Sequence, residues 1–219
     1  MSDDVARESV ETDLWNEPRA ETWQSALARY TDVIAAQEVR HLAERDRWYQ
    51  QNLPKQIAER EPAWISLDEL DQITEWKMAR GVWRQRNLLL VRSNPPERVL
   101  ETSQRAFAQR PEPLAPIATL AKLAGVGPAT ASAVLAAASP ESYPFLDEIV
   151  AAQVPDLGKT DFTLSFYGRY AMALRERARR LGDGWTPALV ERALWANAGG
   201  KARIAVASKP AASSPNLSP

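Results

Sequence analysis

Two features of the sequence could carry chemistry: a glycine-rich turn and an aspartate that follows it along the chain. The turn is Gly125-Val126-Gly127, and Pro128 comes directly after it. Glycine allows backbone angles that a Cβ would resist, and it lets another molecule approach the main chain closely. Proline favours the first position of a helix, so we expect a helix to begin at Pro128. The amides at such a helix start point outward and favour an anion, for which phosphate is the natural ligand.

The residues around this turn have the pattern of a helical hairpin. Leu120 and Leu123 are expected to end a first helix, and Val126 is placed to fill the angle between the two helices. The whole pattern, residues 115–138, resembles the helix-hairpin-helix motif, which binds the DNA backbone without sequence specificity. The alternative is a hairpin that only packs, with Gly125 as an ordinary helix C-cap.

The chain after the hairpin extends the resemblance. A proline-containing loop leads to Phe145-Leu146-Asp147, and Asp147 stands 18 residues after Ala129. This arrangement resembles the helix-hairpin-helix DNA glycosylase superfamily, which includes endonuclease III and A/G-specific adenine glycosylase. In that superfamily an essential aspartate follows the hairpin at a similar spacing. The close similarity covers about residues 115–153, under a fifth of the chain.

The resemblance implies a function and a catalytic residue. It implies that the protein binds double-stranded DNA and cleaves the N-glycosidic bond of a base that is flipped out of the duplex. Positive charge then develops on the sugar, and a carboxylate beside it stabilises that charge and orients or deprotonates a water. Asp147 would take this role. The alternative is an ordinary N-cap, which an aspartate at the start of a helix often provides.

The resemblance also implies two backbone sites in the hairpin. The phosphate of DNA is expected to bind to the backbone amides of Gly125, Gly127 and Ala129. A monovalent cation, Na⁺ or K⁺, is expected on the backbone carbonyls of Ala121, Leu123 and Val126.

The chain departs from the superfamily in ways that limit its chemistry. Bifunctional members carry a nucleophilic lysine where this chain has Ala129, so a Schiff base by that route is excluded. Lys122 lies on the other helix and does not replace it. An enzyme of this type would therefore be monofunctional, without lysine-dependent lyase activity. The chain has no cysteine, which excludes an iron–sulfur cluster bound by cysteines. Glu75 is only a positional guess for a general acid.

The elements that must position these residues are predicted to be helices throughout, so the fold class is all-α. Trp23, Leu27, Tyr30 and Ile34 form one helical stripe. A helix over 42–52 is expected to break at Pro54.

Further helices are expected before the hairpin. Ser66 and Glu69 form a capping box for a helix that ends at Gly81. A helix is expected over 82–91, and Asn94-Pro95-Pro96 is expected to cap and start the next.

Composition sets the remaining expectations. The 219 residues have a net charge of −1, which combines an acidic start (seven acids and two arginines in 1–21) with a basic stretch (eight bases and two acids in 76–110). That asymmetry is compatible with a polyanion. We expect a flexible acidic tail over 1–21, one helical domain over 22–200 and a flexible tail over 201–219. With no spanning segment and no signal peptide, the protein is expected to be soluble, intracellular and monomeric.

Three functions remain open from the sequence. The first is a monofunctional DNA glycosylase in base excision repair, and the second is a DNA-binding module that keeps the fold without catalysis. The third is an interaction protein whose hairpin is structural. Trp76 and Trp83 are expected to pack in the core rather than to stack on bases, and His41 is expected at the surface or at a helix end.

Overall fold

The computed structural model describes residues 13–203, and every regular element in this range is helical, which confirms the all-α class. A short 3₁₀ turn, Leu14–Asn16, precedes the first helix. The helices that follow are α1 (Ala20–Ala28), α2 (Tyr30–Ala36), α3 (Leu42–Arg47), α4 (Leu53–Ala58), α5 (Leu67–Arg80), α6 (Gln85–Arg92), α7 (Pro96–Ala108), α8 (Ala115–Leu120), α9 (Pro128–Ala138), α10 (Glu148–Ala151), α11 (Leu164–Leu181) and α12 (Pro187–Asn197).

The ordered fold begins earlier than the sequence indicates. Leu14 is buried in the core, so residues 13–21 belong to the folded domain and not to a flexible tail. Ala202 N, in the expected tail over 201–219, donates to Gln37 Oε1 at 2.9 Å, and the remaining parts of the two expected tails, 1–12 and 204–219, lie outside the described residues. Among the described helices, none is long and apolar enough to cross a bilayer.

Pro54 does not break its helix, contrary to our expectation. A π-helical turn over Trp48–Asn52 connects α3 to α4, and Pro54 lies in the first turn of α4. A proline removes one helical hydrogen bond and collides with the carbonyl four residues earlier. The wider π turn relieves that conflict, and the chain continues as a helix.

The start and end of α5 follow the sequence. Glu69 N donates to Ser66 Oγ at 3.1 Å, and Ser66 N donates to Glu69 Oε2 at 2.8 Å, so the capping box is complete. Gly81 is the C-cap. The next helix starts later than expected, because residues 82–84 are not helical and α6 begins only at Gln85.

The centre of the molecule is α9, which is buried on every side. All residues from Ala129 to Ala137 are buried, and they are mostly small, which allows close helix–helix contact. Helices α4, α5, α8 and α11 pack against it. The hairpin, which leads into α9, and helix α5 therefore both contact one shared helix.

Candidate functional site

The hairpin joins α8 to α9 and is tied to the end of α6 by one side chain. Asn94 Nδ2 donates to Ala124 O at 3.0 Å and to Val91 O at 2.8 Å, while Ala124 N donates to Asn94 Oδ1 at 2.9 Å. The expectation that Asn94 caps α7 is therefore wrong, since the N-cap of that helix is Pro95. Asn94 instead fixes the position of the hairpin.

The two glycines of the hairpin differ in whether their positions could accept a side chain. Gly125 has φ +74°, and a Cβ there would lie 2.5 Å from the backbone oxygen of Asn87, so both conformation and contact demand glycine. Gly127 has φ −101°, and a Cβ there would meet nothing within 4 Å. Gly125 is thus needed for packing, whereas Gly127 faces open space.

The three amides expected to bind phosphate are free to donate. Within the described part of the chain, the amides of Gly125, Gly127 and Ala129 make no hydrogen bond. Gly127 is exposed, whereas Ala129 is buried as a residue but still lines the cleft described below. Binding of phosphate by these amides stays a prediction.

The carbonyls expected to hold a cation lie on the same hairpin. Leu123 O accepts from Val126 N at 3.2 Å, while the carbonyls of Ala121 and Val126 accept no hydrogen bond within residues 13–203. Cation binding there also stays a prediction. No group of three or more histidine, cysteine, aspartate or glutamate residues in the described chain is arranged to hold a metal ion.

Asp147 is the N-cap of α10 and also reaches a buried arginine. Its Oδ1 accepts from Ile149 N at 2.8 Å and from Val150 N at 3.4 Å. Its Oδ2 accepts from Arg80 Nη2 at 3.3 Å. The carboxylate is only 6% exposed. Capping and a position in the cleft are thus combined in one residue.

Arg80 is the centre of a buried charged cluster. Its Nη2 donates to Glu191 Oε1 at 2.7 Å as well as to Asp147, and its guanidinium lies 4.5 Å from the centre of the Trp195 ring. Asp46 also lies in this cluster, where its Oδ1 accepts from Tyr30 Oη at 2.7 Å and from Trp76 Nε1 at 2.9 Å. The positive charge of Arg80 therefore interacts with three buried carboxyl groups, Asp46, Asp147 and Glu191.

Glu191 holds its proton more strongly than an ordinary glutamate does. Burial raises the pKa of its carboxyl to about 7, against the attraction of Arg80 and with the repulsion of Asp147. Glu191 consequently changes its charge near neutral pH, next to the arginine that contacts Asp147.

This titration predicts a pH-dependent stability. Because the folded state binds the proton more tightly than the unfolded chain, whose carboxyl titrates near 4.5, stability falls as pH rises from 4.5 to about 7. The loss is on the order of 3 kcal/mol. We expect Glu191→Gln to remove this slope in urea unfolding measured at pH 5 and at pH 7.5. Equal slopes in the wild type and the variant would contradict the assignment.

The hairpin and Asp147 meet at a cleft of about 460 Å³. The hairpin contributes Gly125 and Gly127 to its lining, and α5 contributes Lys77 and Arg80. Exposed apolar residues, Val82 and Phe162, also line the cleft.

Two further predicted positions do not belong to this cleft. Glu75 of α5 forms ion pairs with Arg45 of α3 and Arg92 of α6, and it is not part of the cleft lining. The guess that it is a general acid therefore has no support from its position. Trp83 is 47% exposed, so the expectation that it packs in the core is wrong.

The other two aromatic expectations are confirmed. Trp76 is fully buried and stacks on Tyr49 with ring centres 3.6 Å apart. His41 is exposed and precedes the first residue of α3.

The chain was compared with protein-family models, with curated proteins and with solved structures. None of the three comparisons finds a match.

Three residues of the site were missed by sequence reasoning. Arg80 and Lys77 were considered only as part of a basic stretch, and Glu191 was not predicted to belong to the site. Arg80 and Glu191 are separated by 111 residues, so no local pattern connects them. A signal for Arg80 existed, because it stands at helical spacing from the buried Trp76 and Ile73 and so faces the core.

Proposed function

We propose that this protein binds double-stranded DNA through its hairpin and hydrolyses the N-glycosidic bond of a nucleotide flipped into the cleft. The observation that carries the proposal is that the hairpin backbone at Gly125 and Gly127 and the carboxylate of Asp147 line one cleft. Its volume, about 460 Å³, lies within the roughly 300–1,000 Å³ typical of small-ligand sites.

The electrostatics of the cluster support the role of Asp147. Arg80 Nη2 lies 2.7 Å from Glu191 and 3.3 Å from Asp147, so above about pH 7, where Glu191 is ionised, Glu191 is the nearer counter-charge of Arg80. The negative charge of Asp147 is thereby left to act on the cleft. In a buried site, such a fixed charge stabilises a cationic sugar more strongly than it would in water.

The hairpin side of the cleft supports binding to phosphate. Free amides precede and open α9, and Arg84 lies exposed at the cleft with no acidic partner among the described residues. Contacts to phosphate carry no sequence information, so binding is expected to be salt-sensitive and weakly sequence-selective.

The proposal is tested with a panel of end-labelled duplexes, each bearing a different damaged or mismatched base. After incubation, alkali cleaves the strand wherever a base has been released. Release of a base from at least one duplex supports the proposed glycosylase activity. Salt-sensitive binding to duplexes without release from any of them would instead support the non-catalytic DNA-binding module. That alternative is favoured by one observation: both oxygens of Asp147 already have partners.

Binding through the hairpin predicts the effect of a substitution at Gly127. Gly127→Glu places bulk and negative charge where phosphate is expected, so duplex affinity should fall roughly tenfold or more, as for about 1.4 kcal/mol of lost binding. Because the site is open, the variant should fold normally. Fluorescence anisotropy with labelled duplex measures the affinity.

Gly127→Ala is the matched control. It adds one methyl group into open space and should bind and melt like the wild type. Unchanged affinity in a folded Gly127→Glu protein would exclude the hairpin as the DNA contact. A Gly125 variant cannot be used for this test, because a side chain there would collide with α6.

A further inference from the structure

Lys77 has a position that the proposed hydrolysis does not use. It lies on α5 one turn before Arg80 and lines the same cleft as Asp147. Its amine makes no hydrogen bond and no ion pair with any other residue in 13–203. Lys201, the other lysine of the cleft lining, differs, because its amine donates to Gly81 O at 2.6 Å.

The surroundings of Lys77 favour the neutral amine. Burial lowers the pKa of this amine, the positive charge of Arg84 lowers it further, and the negative charge of Asp147 acts in the opposite direction. A desolvated lysine beside another cation is the environment in which a lysine becomes a nucleophile toward carbonyl carbon.

We propose that Lys77 is a reactive amine that forms a Schiff base with the aldehyde of an abasic sugar held in the cleft. The ligand class follows from the proposed function, because base release leaves a sugar whose ring-opened form carries an aldehyde at C1′. The nitrogen of Lys77 attacks that carbon. The aldehyde oxygen leaves as water with the two amine hydrogens, and a carbon–nitrogen double bond remains.

The imine makes strand cleavage accessible. It withdraws electrons from C2′, so a proton leaves C2′ to water, and the 3′ phosphate departs with the electron pair of its carbon–oxygen bond. Water then hydrolyses the imine and returns the amine. This route replaces the expectation drawn from Ala129 alone, because the amine comes from α5 and not from the hairpin.

The test uses the full-length protein and a labelled duplex that already contains one abasic site. Sodium borohydride reduces an imine to a stable adduct, which is detected as a slower band and mapped to a residue by peptide mass spectrometry. We expect an adduct at Lys77 in the wild type. Lys77→Arg keeps the positive charge but has no primary amine, so its adduct yield should fall at least tenfold, and so should that of Lys77→Met.

Lys201→Met is the matched control and should give the wild-type yield, since that amine is exposed and hydrogen-bonded. Thermal melting and duplex anisotropy show that each variant is folded and binds DNA. An adduct that persists in Lys77→Arg, or a wild-type protein that binds the abasic duplex without forming an adduct, overturns the proposal.

The same experiment separates this inference from the proposed function. Because the abasic site is supplied ready-made, adduct formation at Lys77 requires no prior base release. An adduct without base release from any duplex would leave the Lys77 assignment standing and remove the glycosylase. Base release without an adduct would support the glycosylase activity and refute the assignment of Lys77.

Discussion

Base release by Asp147→Asn is expected to be about 10²- to 10³-fold slower than by the wild type, the effect typical of removing one electrostatic stabiliser from an active site. Asparagine has nearly the same size, and it caps a helix about as well as aspartate. The amides of Ile149 and Val150 therefore keep their acceptor. What the variant loses is the negative charge that opposes the positive charge on the sugar. Single-turnover release of base from the best duplex of the panel measures the change.

Glu148→Gln is the matched control for this experiment. Glu148 lines the same cleft but is exposed and adjoins Asp147 in sequence. Its neutralisation should leave the rate nearly unchanged, and both variants should keep wild-type duplex affinity. Full activity in Asp147→Asn would refute the role of Asp147.

Arg80→Met is expected to lower the free energy of unfolding by about 3–5 kcal/mol, because it leaves buried carboxylates without their cation. Arg80 is 1% exposed and contacts both Asp147 and Glu191. The loss should be measured by urea unfolding near pH 7.5, where Glu191 is ionised. Adding Asp147→Asn to Arg80→Met should restore part of the loss, since one of the unpaired charges is then absent.

Arg92→Met provides the comparison for an exposed ion pair. Arg92 also pairs with two acids, Asp71 and Glu75, but its side chain is 44% exposed. Solvent screens such pairs, so its loss should cost at most about 1 kcal/mol. Equal free energies of unfolding for Arg80→Met and Arg92→Met would show that the buried cluster stabilises the fold no more than an exposed ion pair does.

Local signals in the sequence predicted the parts of the fold that depend on neighbouring residues. The capping box at Ser66 and Glu69 needs only residues three apart, and Pro128 fixes the first turn of α9 by its own ring. The hairpin was predictable for the same reason. Asp147 as an N-cap required only the residues that follow it.

The predictions from sequence were wrong where the local structure depends on contacts or backbone geometry that neighbouring residues do not determine. Asn94 would be an adequate cap for α7, but its amide group instead bonds Ala124, 30 residues away. Pro54 is accommodated by a π turn, which no local propensity reveals. The cleft is likewise tertiary, because Lys77, Arg80 and Asp147 come together only when α5 packs on α9.

The burial of α9 on every side constrains which mutations the protein can tolerate. Residues Ala129 to Ala137 have neighbours in all directions, so a larger side chain has no free direction in which to turn. Adding even a few methylene groups there typically costs 1–3 kcal/mol, about as much as losing a hydrogen-bonded polar group. A saturation screen for folded variants should thus be most restrictive along a helix whose alanines have no chemistry of their own. Those alanines instead allow α5, which carries Lys77 and Arg80, to pack closely on α9.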